Sequence, residues 1–482
     1  MQRDRSPLRR RSRAFVSGVR ARAALVARFL LVGVVPALAA CGSAPRPPNL
    51  ILISIDTLRA DRLGCYGYAR PTTPFLDREA LRGVLFEHAT APSSWTYPSH
   101  ASMFTGLYPG RNGAIEIKQR MRKDVTSLAE WLGARGYQAA GVVSSTLFLG
   151  YGLERGFEPL DYVESNGPEP SPVTTHALAW LESVDRSRPF FYLVHYLDPH
   201  SDYHSRPEYQ DPFLTPYTGP ATGKSDQLYE HVAGQIRFTP EDARHLSDLY
   251  DGGVRQQDAE LEKLFGALER SGLLENTVVV LVSDHGEEFL EHGGVMHGLT
   301  QYEESVRVPF LLWGPGVPHG VRLPQGVSLV DLMPTVLDLL GQPAPEGLDG
   351  MSLRPLWEAP ATPRPPRALF IEADMDPPTP TQRMMVPGDD VAVRRGDFKL
   401  VWDPKADQAH LFDLARDPRE TRDVAGEHPD VVRELRAELQ RFRLHRGPAD
   451  GVTPMTEDDL RRLQDLGYAG RNEPEPSDDP GD

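Results

Sequence analysis

The chain has 482 residues, of which 40% are hydrophobic, and a formal net charge of −16. Nine arginines and one aspartate give residues 1–40 a charge of +8, so the rest of the chain carries −24. A surface this acidic repels nucleic acid and anionic lipid headgroups, so we expect no nucleic-acid partner. The length allows a large buried core. Cys65 is the only cysteine after Cys41, so we expect no disulfide in the fold.

The first forty residues have the pattern of a secretory signal. A basic stretch precedes the apolar run FLLVGVVPALAA, which is too short for a membrane span with these flanks. The run ends in LAAC, which resembles a bacterial lipobox. We therefore predict a signal peptide over 1–40, lipidation of Cys41 and a tether over 41–48, which anchors the protein by lipid in the bacterial cell envelope. An uncleaved membrane anchor is the alternative.

Residues 49–345 alternate apolar β-branched runs with helical stretches. The first strand-like run is NLILISID at 49–56, and similar runs lie at 137–145, 189–198, 276–284 and 308–316. The helical stretches lie at 124–136, 173–185, 241–272 and 327–341, the last of them ending at Gly341. This alternation predicts an α/β catalytic domain whose mostly parallel central sheet is sandwiched by helices.

A smaller C-terminal subdomain is predicted after the Pro-rich break at 342–366. Short strands and one amphipathic helix there indicate an antiparallel sheet with a helix over residues 366–450. The tail, 451–482, ends in a dozen polar, acidic and proline residues that we expect to be disordered.

Polar residues follow three of the predicted parallel strands, where ligands gather in α/β sheets. Asp56 follows the first strand, Asp198 and His200 follow the middle one, and Asp284 with His285 follows NTVVVLVS. One aspartate at a strand end is commonly a cap or turn residue. Three strands ending in this way suggest a divalent metal site.

Thr96 lies in SSWTYPSHASMFTGLYPG, residues 93–110. Pro98 suits the first position of a helix, which leaves Thr96 at the helix mouth, where backbone N–H groups favour an anion. A bound metal would lower the pKa of the threonine hydroxyl and make it a nucleophile. The alternative is a helix N-cap.

Ordered motifs across residues 48–470 resemble those of the sulfatases, which belong to the alkaline phosphatase superfamily. They are NLILISIDTLRADRLGCYGY, SSWTYPSHASMFTGLYPGRNG, FFYLVHYLDPH, VVVLVSDHGEEFLEHGGVMHG, YEESVRVPFLLWGPG and VSLVDLMPTVLDLLG, with C-terminal GDFKLVWD and LRRLQDLGYAG. The resemblance implies that Asp56, Asp284 and His285 bind the metal. Thr96 occupies the position of the catalytic residue, where it would also contact the metal.

The resemblance to sulfatases also implies roles for three histidines. His100 replaces the arginine that usually supports the catalytic residue. His200, in DPH, matches a histidine that contacts the anionic oxygens or leaving group of the substrate. His297, in MHG, lies in a segment that often supplies another such group.

The chain also departs from the sulfatase pattern. Sulfatases usually carry Cys or Ser at the position of Thr96, which oxidation converts to formylglycine, and threonine is not a known substrate for that conversion. Thr57 replaces the second aspartate of the usual pair, and His285 stands where many sulfatases have asparagine. Losing a carboxylate and gaining an imidazole favours zinc or manganese over calcium. Lysines expected near the sulfate are missing, as in the phosphodiesterases and phosphoethanolamine transferases that use threonine directly.

A second metal is left open by the sequence. Its candidate ligands are Asp198, His200, His204 and His297. Three other residues are interpreted as structural or solvated, namely His195, Asp202 and His292. An acidic solvated face is predicted for Glu287, Glu288 and Glu291.

These residues predict a hydrolase that cleaves a sulfate or phosphate ester of a sugar, lipid or nucleotide after in-line attack by Thr96. The leaving oxygen would be protonated near His200 or His297. A phosphoethanolamine-type transferase, a phosphonate hydrolase and a degenerate glycan- or anion-binding lipoprotein remain alternatives. Substrate specificity is expected from loops such as 200–240 and 376–392.

Overall fold

The computed structural model describes residues 46–116, 119–165, 171–362, 364–372 and 391–447. The predicted signal peptide, Cys41 and the tail lie outside the described residues, as does most of 376–392. Within the described ranges, no helix combines the length and the hydropathy needed to cross a bilayer.

Strands and helices alternate up to about residue 340, as the sequence predicts. The strands are β1 Asn49–Ile55, β2 Val84–Thr90, β3 Gln138–Val143, β4 Leu160–Tyr162, β5 Phe190–Tyr196, β6 Thr277–Ser283, β7 Glu288–Phe289, β8 Val295–Met296, β9 Arg307–Val308, β10 Phe310–Trp313, β11 Val321–Ser328, β12 Ala368–Glu372, β13 Val391–Arg395, β14 Phe398–Asp403 and β15 Gln408–Asp413. The helices are α1 Pro74–Glu79, α2 Thr96–Thr105, α3 Pro109–Asn112, α4 Leu128–Gly133, α5 Pro172–Ser183, α6 Pro207–Gln210, α7 Ser225–Val232, α8 Pro240–Arg270, α9 Glu303–Val306, α10 Leu332–Leu339, α11 Arg354–Glu358 and α12 Pro429–Arg443.

The main sheet has the order β11-β2-β10-β6-β1-β5-β3-β4, with β9 paired to β2. Strands β6, β1, β5, β3 and β4 run parallel, which confirms the predicted fold class. Strand β10 runs antiparallel to both β6 and β2, although its apolar sequence resembles the parallel strands. Burial on both faces makes a strand apolar whatever its direction, so the sequence does not reveal this reversal.

The sheet buries both of its faces. Along β1, Leu50 and Leu52 pack into the apolar core on one side, whereas Ile51 and Ile53 pack into the core on the other. This alternation follows from the two-residue period of a strand. Because both faces of the sheet are covered, β1 is buried along its whole length. A polar residue at the carboxyl end of β1 therefore lies in the protein interior.

One predicted helix boundary is corrected by the fold. Residues 327–341 are predicted to be helical throughout, but β11 continues to Ser328. A short 3₁₀ turn, Leu329–Asp331, then leads into α10. Asp331 stabilises the start of this turn, because its carboxylate accepts a hydrogen bond from the Ser328 N–H at 2.9 Å. The apolar pattern of the sequence does not predict this contact.

The C-terminal subdomain is an antiparallel sheet, β12-β13-β14-β15, that packs with α12 around its own small core. A buried ion pair joins this sheet to the catalytic domain. Lys399 on β14 is fully buried, with its Nζ 3.1 Å from Glu303 Oε1 at the start of α9 and 2.9 Å from Glu420 Oε1. Since buried charges are tolerated only when paired, this contact ties the two parts together.

Replacing Lys399 by methionine is expected to destabilise the protein by about 3–5 kcal/mol, because the buried Glu420 then loses the Lys399 cation, while Glu303 keeps Arg394. Arg78→Met is the control, since Arg78 pairs with Glu262 at an exposed surface and should cost less than about 1 kcal/mol. Urea unfolding of both variants measures the difference. Equal losses of unfolding free energy would contradict the assigned role of Lys399.

Candidate active site

The candidate site lies at the carboxyl ends of the central parallel strands. Strand β1 lies between β5 and β6, and Ile55 is in register with Ser283 on one side and Tyr196 on the other. Asp56 and Asp284 are the next residues after β1 and β6. The register therefore brings two predicted ligands side by side, both at most 1% exposed.

Helix α2 brings Thr96 to these carboxylates. The helix begins at Thr96 itself, with Trp95 as the N-cap residue, so the prediction that Pro98 opens the helix is wrong. Thr96 Oγ1 lies 3.2 Å from His285 Nε2 and is hydrogen-bonded to the Asp56 carboxylate. The threonine side chain thus faces the candidate metal ligands and does not cap the helix.

The loop after β6 is held against the backbone of α9. The Gly286 N–H donates to Ser305 O at 2.8 Å, and the Glu287 N–H donates to Glu304 O at 3.1 Å. A Cβ at Gly286 would lie 1.9 Å from the Glu304 carbonyl oxygen, so only glycine permits this approach. This packing explains the glycine of DHGEE and fixes His285 over the site.

Asp284 is anchored through one oxygen only. Its Oδ1 accepts hydrogen bonds from the backbone N–H groups of Thr57 (3.3 Å) and His285 (3.0 Å). Thr57 has a φ of +55°, which is rare for a β-branched residue, and Tyr250 Oη donates to its carbonyl at 2.7 Å. Asp284 Oδ2 and Asp56 Oδ1 are also buried, and neither has a hydrogen-bond partner among the residues that the structure describes.

His285 points a lone pair at these two orphaned oxygens. Its Nδ1–H donates to Gly286 O at 2.9 Å, so the hydrogen-bond network leaves Nε2 unprotonated in the neutral ring. Nε2 lies 3.5 Å from Asp56 Oδ1 and 3.4 Å from Asp284 Oδ2. Three acceptor atoms that face one another repel unless a proton or a metal ion lies between them, and this donor set fits a divalent metal.

Burial sets the protonation of this group when no metal is bound. It raises the pKa of Asp284 to about 7, helped by the Asp56 charge, and raises the pKa of Asp56 as well. Burial also lowers the pKa of His285 to about 4. Among the described residues, only histidines lie within ion-pair distance of the two aspartates.

His200 and His297 lie at the outer side of the site, with 4% and 5% of their surface exposed. Their ring centroids are 5.0 Å apart, and that of His297 is 4.3 Å from that of His285. His200 Nδ1 donates to Ser201 O at 2.6 Å. Burial lowers the pKa of His200, and lowers that of His297 to about 3.

Glu287 is a site residue that the sequence did not reveal. The prediction of a solvated acidic face with Glu288 and Glu291 is wrong, because Glu287 and Glu288 are buried and the part-buried Glu291 pairs with Arg59. Glu287 Oε1 accepts a hydrogen bond from His297 Nδ1 at 3.0 Å, which fixes the orientation of that ring. Burial raises the pKa of Glu287 to about 7. A run of glutamates gives no sequence signal that one of them points inward.

Two histidines lie beneath the nucleophile. His100, one turn after Thr96 on α2, contacts Ser54 Oγ through Nε2 at 2.9 Å and donates from Nδ1 to Thr96 O at 2.8 Å. His195, interpreted from sequence as structural or solvated, is fully buried with Nε2 3.5 Å from Asp56 Oδ2. The sequence offers one indication that His195 has a role in the site, because it is a histidine within the otherwise apolar strand β5.

The proposed second cluster of Asp198, His200, His204 and His297 does not form a metal-binding group among the described residues. His204 is exposed. Burial, together with the nearby charge of Glu260, raises the pKa of Asp198 to about 7. Adjacency in the sequence therefore does not put both side chains in one site.

A family model described as Sulfatase matches residues 48–342, and a second, N-sulphoglucosamine sulphohydrolase, C-terminal, matches residues 291–445. The chain belongs to the sulfatase family. Arylsulfatase A of Homo sapiens is 31% identical over 471 residues, which cover 83% of this chain and 88% of the human protein. The resemblance to sulfatases that the motifs suggested is thereby confirmed.

Two further relatives differ in the esters that their names describe. The Delta 4,5-hexuronate-2-O-sulfatase of Bacteroides thetaiotaomicron is 24% identical, covering 89% of this chain and 94% of its own. The structure of the phosphonate monoester hydrolase of Agrobacterium radiobacter matches with a TM-score of 0.68 at 22% identity, covering 83% of this sulfatase and 96% of that chain. The second likeness concerns the fold alone.

Metal binding to this sulfatase is expected to weaken by about tenfold between pH 8 and pH 6, because the metal must displace one proton from Asp284. His285 stays neutral over this range, since burial lowers its pKa to about 4. Calorimetric titration of chelator-treated protein with zinc or manganese at both pH values measures this. Asp349→Asn is the control, because it removes a carboxylate that pairs with Arg111 away from the site, and it should leave the metal affinity unchanged. A metal affinity of the wild type that does not change with pH would refute Asp284 as a ligand.

Proposed function

We propose that this sulfatase hydrolyses singly charged sulfate, phosphate or phosphonate esters with Thr96 as the nucleophile. The observation that supports this most is the position of Thr96 Oγ1, 3.2 Å from His285 Nε2 and hydrogen-bonded to Asp56. A hydroxyl at the start of a buried helix, among carboxylates and neutral histidines, suits activation by a cation.

The residues that would hold a metal are Asp56, Asp284 and His285, with Thr96 beside them. A divalent ion bound there would lower the pKa of the threonine hydroxyl and offset negative charge on the ester oxygens. The imidazole of His285 favours zinc or manganese over calcium.

In the proposed reaction, Thr96 Oγ1 attacks sulfur or phosphorus opposite the leaving oxygen, and its proton passes to the Asp56 carboxylate. A bond from Oγ1 to sulfur or phosphorus forms as the bond to the leaving oxygen breaks. Water then attacks the threonine ester, the bond to Oγ1 breaks and Oγ1 takes its proton back from Asp56, which releases sulfate, a phosphate monoester or phosphonate. Backbone N–H groups in the first turn of α2 stabilise the equatorial oxygens.

The leaving oxygen would take its proton from His200 or His297 at the outer side of the site. In the unliganded protein burial lowers the pKa of both rings. A bound anion beside them raises the pKa again, because it favours the imidazolium form. Glu287 holds His297 in a fixed orientation for this transfer.

The charge of the site supports singly charged substrates. Among the described residues, no lysine or arginine pairs with Asp56 or Asp284, so few fixed positive charges balance an anion. A phosphate monoester carries about two negative charges near pH 7 and above, whereas sulfate monoesters and phosphate diesters carry one. Sulfated sugars are the first substrates to test, given the names of the relatives. Lipidation of Cys41 and an envelope location remain part of the proposal.

Thr96→Ala is expected to lower kcat/KM by about a thousandfold or more, because the variant lacks the attacking oxygen. Thr96→Ser keeps a hydroxyl and should retain activity within about tenfold. Thr105→Ala is the matched control, since Thr105 is a buried threonine on the same helix that bonds to Ala101 O. The assay compares p-nitrophenyl sulfate, bis-p-nitrophenyl phosphate and p-nitrophenyl phosphate with zinc, manganese or calcium.

Two results would count against this function. If Thr96→Ala keeps full activity, Thr96 is not the nucleophile. If the enzyme hydrolyses the doubly charged p-nitrophenyl phosphate fastest, it does not prefer singly charged esters. Preference for the sulfate over the diester, or the reverse, decides which singly charged ester is the substrate class.

A further inference from the structure

His297, one of the two candidate proton donors, directly follows a hairpin that is too short to hold its own position. Strands β7 and β8 form a sheet of their own with two residue pairs, Glu288 with Met296 and Phe289 with Val295. An isolated two-stranded hairpin is at best marginally stable in water. The position of His297 therefore depends on the contacts that this hairpin makes with its surroundings.

The backbone that leads into His297 is strained. Met296 has a φ of +70°, and Leu290, at the end of the hairpin's first strand, has a φ of +63°. Left-handed backbone is uncommon for residues other than glycine. Such conformations persist only where the surrounding structure imposes them. A contact that fixes the hairpin therefore also fixes the direction in which His297 leaves it.

His292 lies between the two strands of this hairpin and faces two oxygen atoms. Its Nδ1 lies 2.5 Å from Glu304 Oε1, and its Nε2 lies 3.3 Å from Glu420 O. A carboxylate and a backbone carbonyl are both acceptors, so both hydrogen bonds form only when each ring nitrogen carries a proton. The ring also stacks on Tyr302, with centroids 3.5 Å apart and planes inclined by 8°, which suits a cationic ring.

The charges around His292 favour this doubly protonated form. Glu304 is buried on α9, and Glu420 lies in the loop between β15 and α12, where Lys399 pairs with its side chain. Burial by itself would lower the pKa of His292, but the hydrogen bond and the charge of Glu304 outweigh it and raise the pKa above its ordinary value. The imidazolium is therefore paired with a carboxylate.

The two acceptors of His292 belong to segments that support the loop after β6. The Glu304 carbonyl accepts the hydrogen bond from the Glu287 N–H. The Glu420 side chain accepts one from the Glu303 N–H at 2.6 Å, at the start of α9. His292 thus joins the hairpin, α9 and the C-terminal subdomain at one point.

We propose that His292 is a positioning residue for His297. By donating from its two ring nitrogens to Glu304 and Glu420, it fixes the hairpin that ends at His297. The proposal rests on the proposed function, and of the two candidate proton donors it requires His297 to protonate the leaving oxygen. It also gives the C-terminal subdomain a part in catalysis, through the carbonyl of Glu420.

The test compares two leaving groups, using the full chain. p-Nitrophenolate leaves readily without a proton, whereas phenolate needs one, so a misplaced proton donor slows the phenyl ester more. We expect His292→Ala to lower kcat/KM for phenyl sulfate by about ten- to a hundredfold. The loss for p-nitrophenyl sulfate should stay below about threefold. If the enzyme prefers diesters, diphenyl and bis-p-nitrophenyl phosphate replace the sulfates.

Three comparisons separate positioning from folding. His297→Ala should show the same difference between leaving groups, and adding His292→Ala to it should cost less than about twofold more. His410→Ala is the matched control and should affect neither ester, because His410 pairs with Asp423 at 2.9 Å on an exposed surface. Amide hydrogen exchange of residues 288–297, measured without substrate, should be faster in His292→Ala and unchanged in His410→Ala.

Equal losses for the two leaving groups in His292→Ala would overturn the inference, as would additive losses in the double variant or unchanged exchange of the hairpin. If His292→Ala does not fold, His292→Gln decides, because one amide nitrogen replaces two ring nitrogens. Faster exchange in the variant with no ester hydrolysed by the wild type would refute the proposed function alone. Hydrolysis by the wild type with equal losses in the variant would refute the role of His292 alone.

Discussion

The structure depends on two aspartates that are buried side by side with no lysine or arginine paired to them among the described residues. Asp56 and Asp284 follow adjacent parallel strands, and within the described part of the chain each has one carboxylate oxygen without a hydrogen bond. Burial raises the pKa of both, so two ionised carboxylates at this depth are unfavourable without a cation. The surrounding histidines are neutral at pH 7, so they offer lone pairs to a metal ion but do not neutralise the charge of the aspartates.

The fold explains why these groups meet at one place. The parallel strands β5, β1 and β6 end at the same edge of the sheet, and α2 approaches that edge with Thr96 at its first position. The Ser99 hydroxyl donates to Asp284 O at 2.7 Å, which ties the helix to the loop after β6. Gly286 then lets that loop pack against α9. Rigid elements therefore hold both the nucleophile and the candidate ligands before any ligand binds.

The sequence predicted the fold class and brought Asp56, Asp284 and His285 forward for a simple reason. Asp56 and Asp284 directly follow long apolar strands, His285 is the next residue, and ligands gather at the carboxyl ends of parallel strands. The direction of β10 was not predictable, because an apolar strand buried on two faces looks the same in either direction. The start of α2 was misplaced by two residues, because Pro98 is also tolerated within the first turn of a helix.

The residues that sequence reasoning missed are those whose role depends on side-chain direction. His195 lies inside a strand, and only the register with Ser54 shows that it points into the site. Glu287 looks like its acidic neighbours, and only its contact with His297 separates it from a solvated surface residue. Asp198 and His200 are separated by one residue in the sequence, and only the burial of Asp198 near Glu260 shows that it lies in a different environment.

The most direct measurement of the central claim is mass spectrometry of the acid-quenched enzyme during turnover of a reactive aryl ester. The account predicts that the peptide containing Thr96 gains the mass of one sulfuryl or phosphoryl group, and that the gain disappears when substrate is exhausted. A transferred group found on another residue, or turnover with no modified peptide at any quench time, would contradict it.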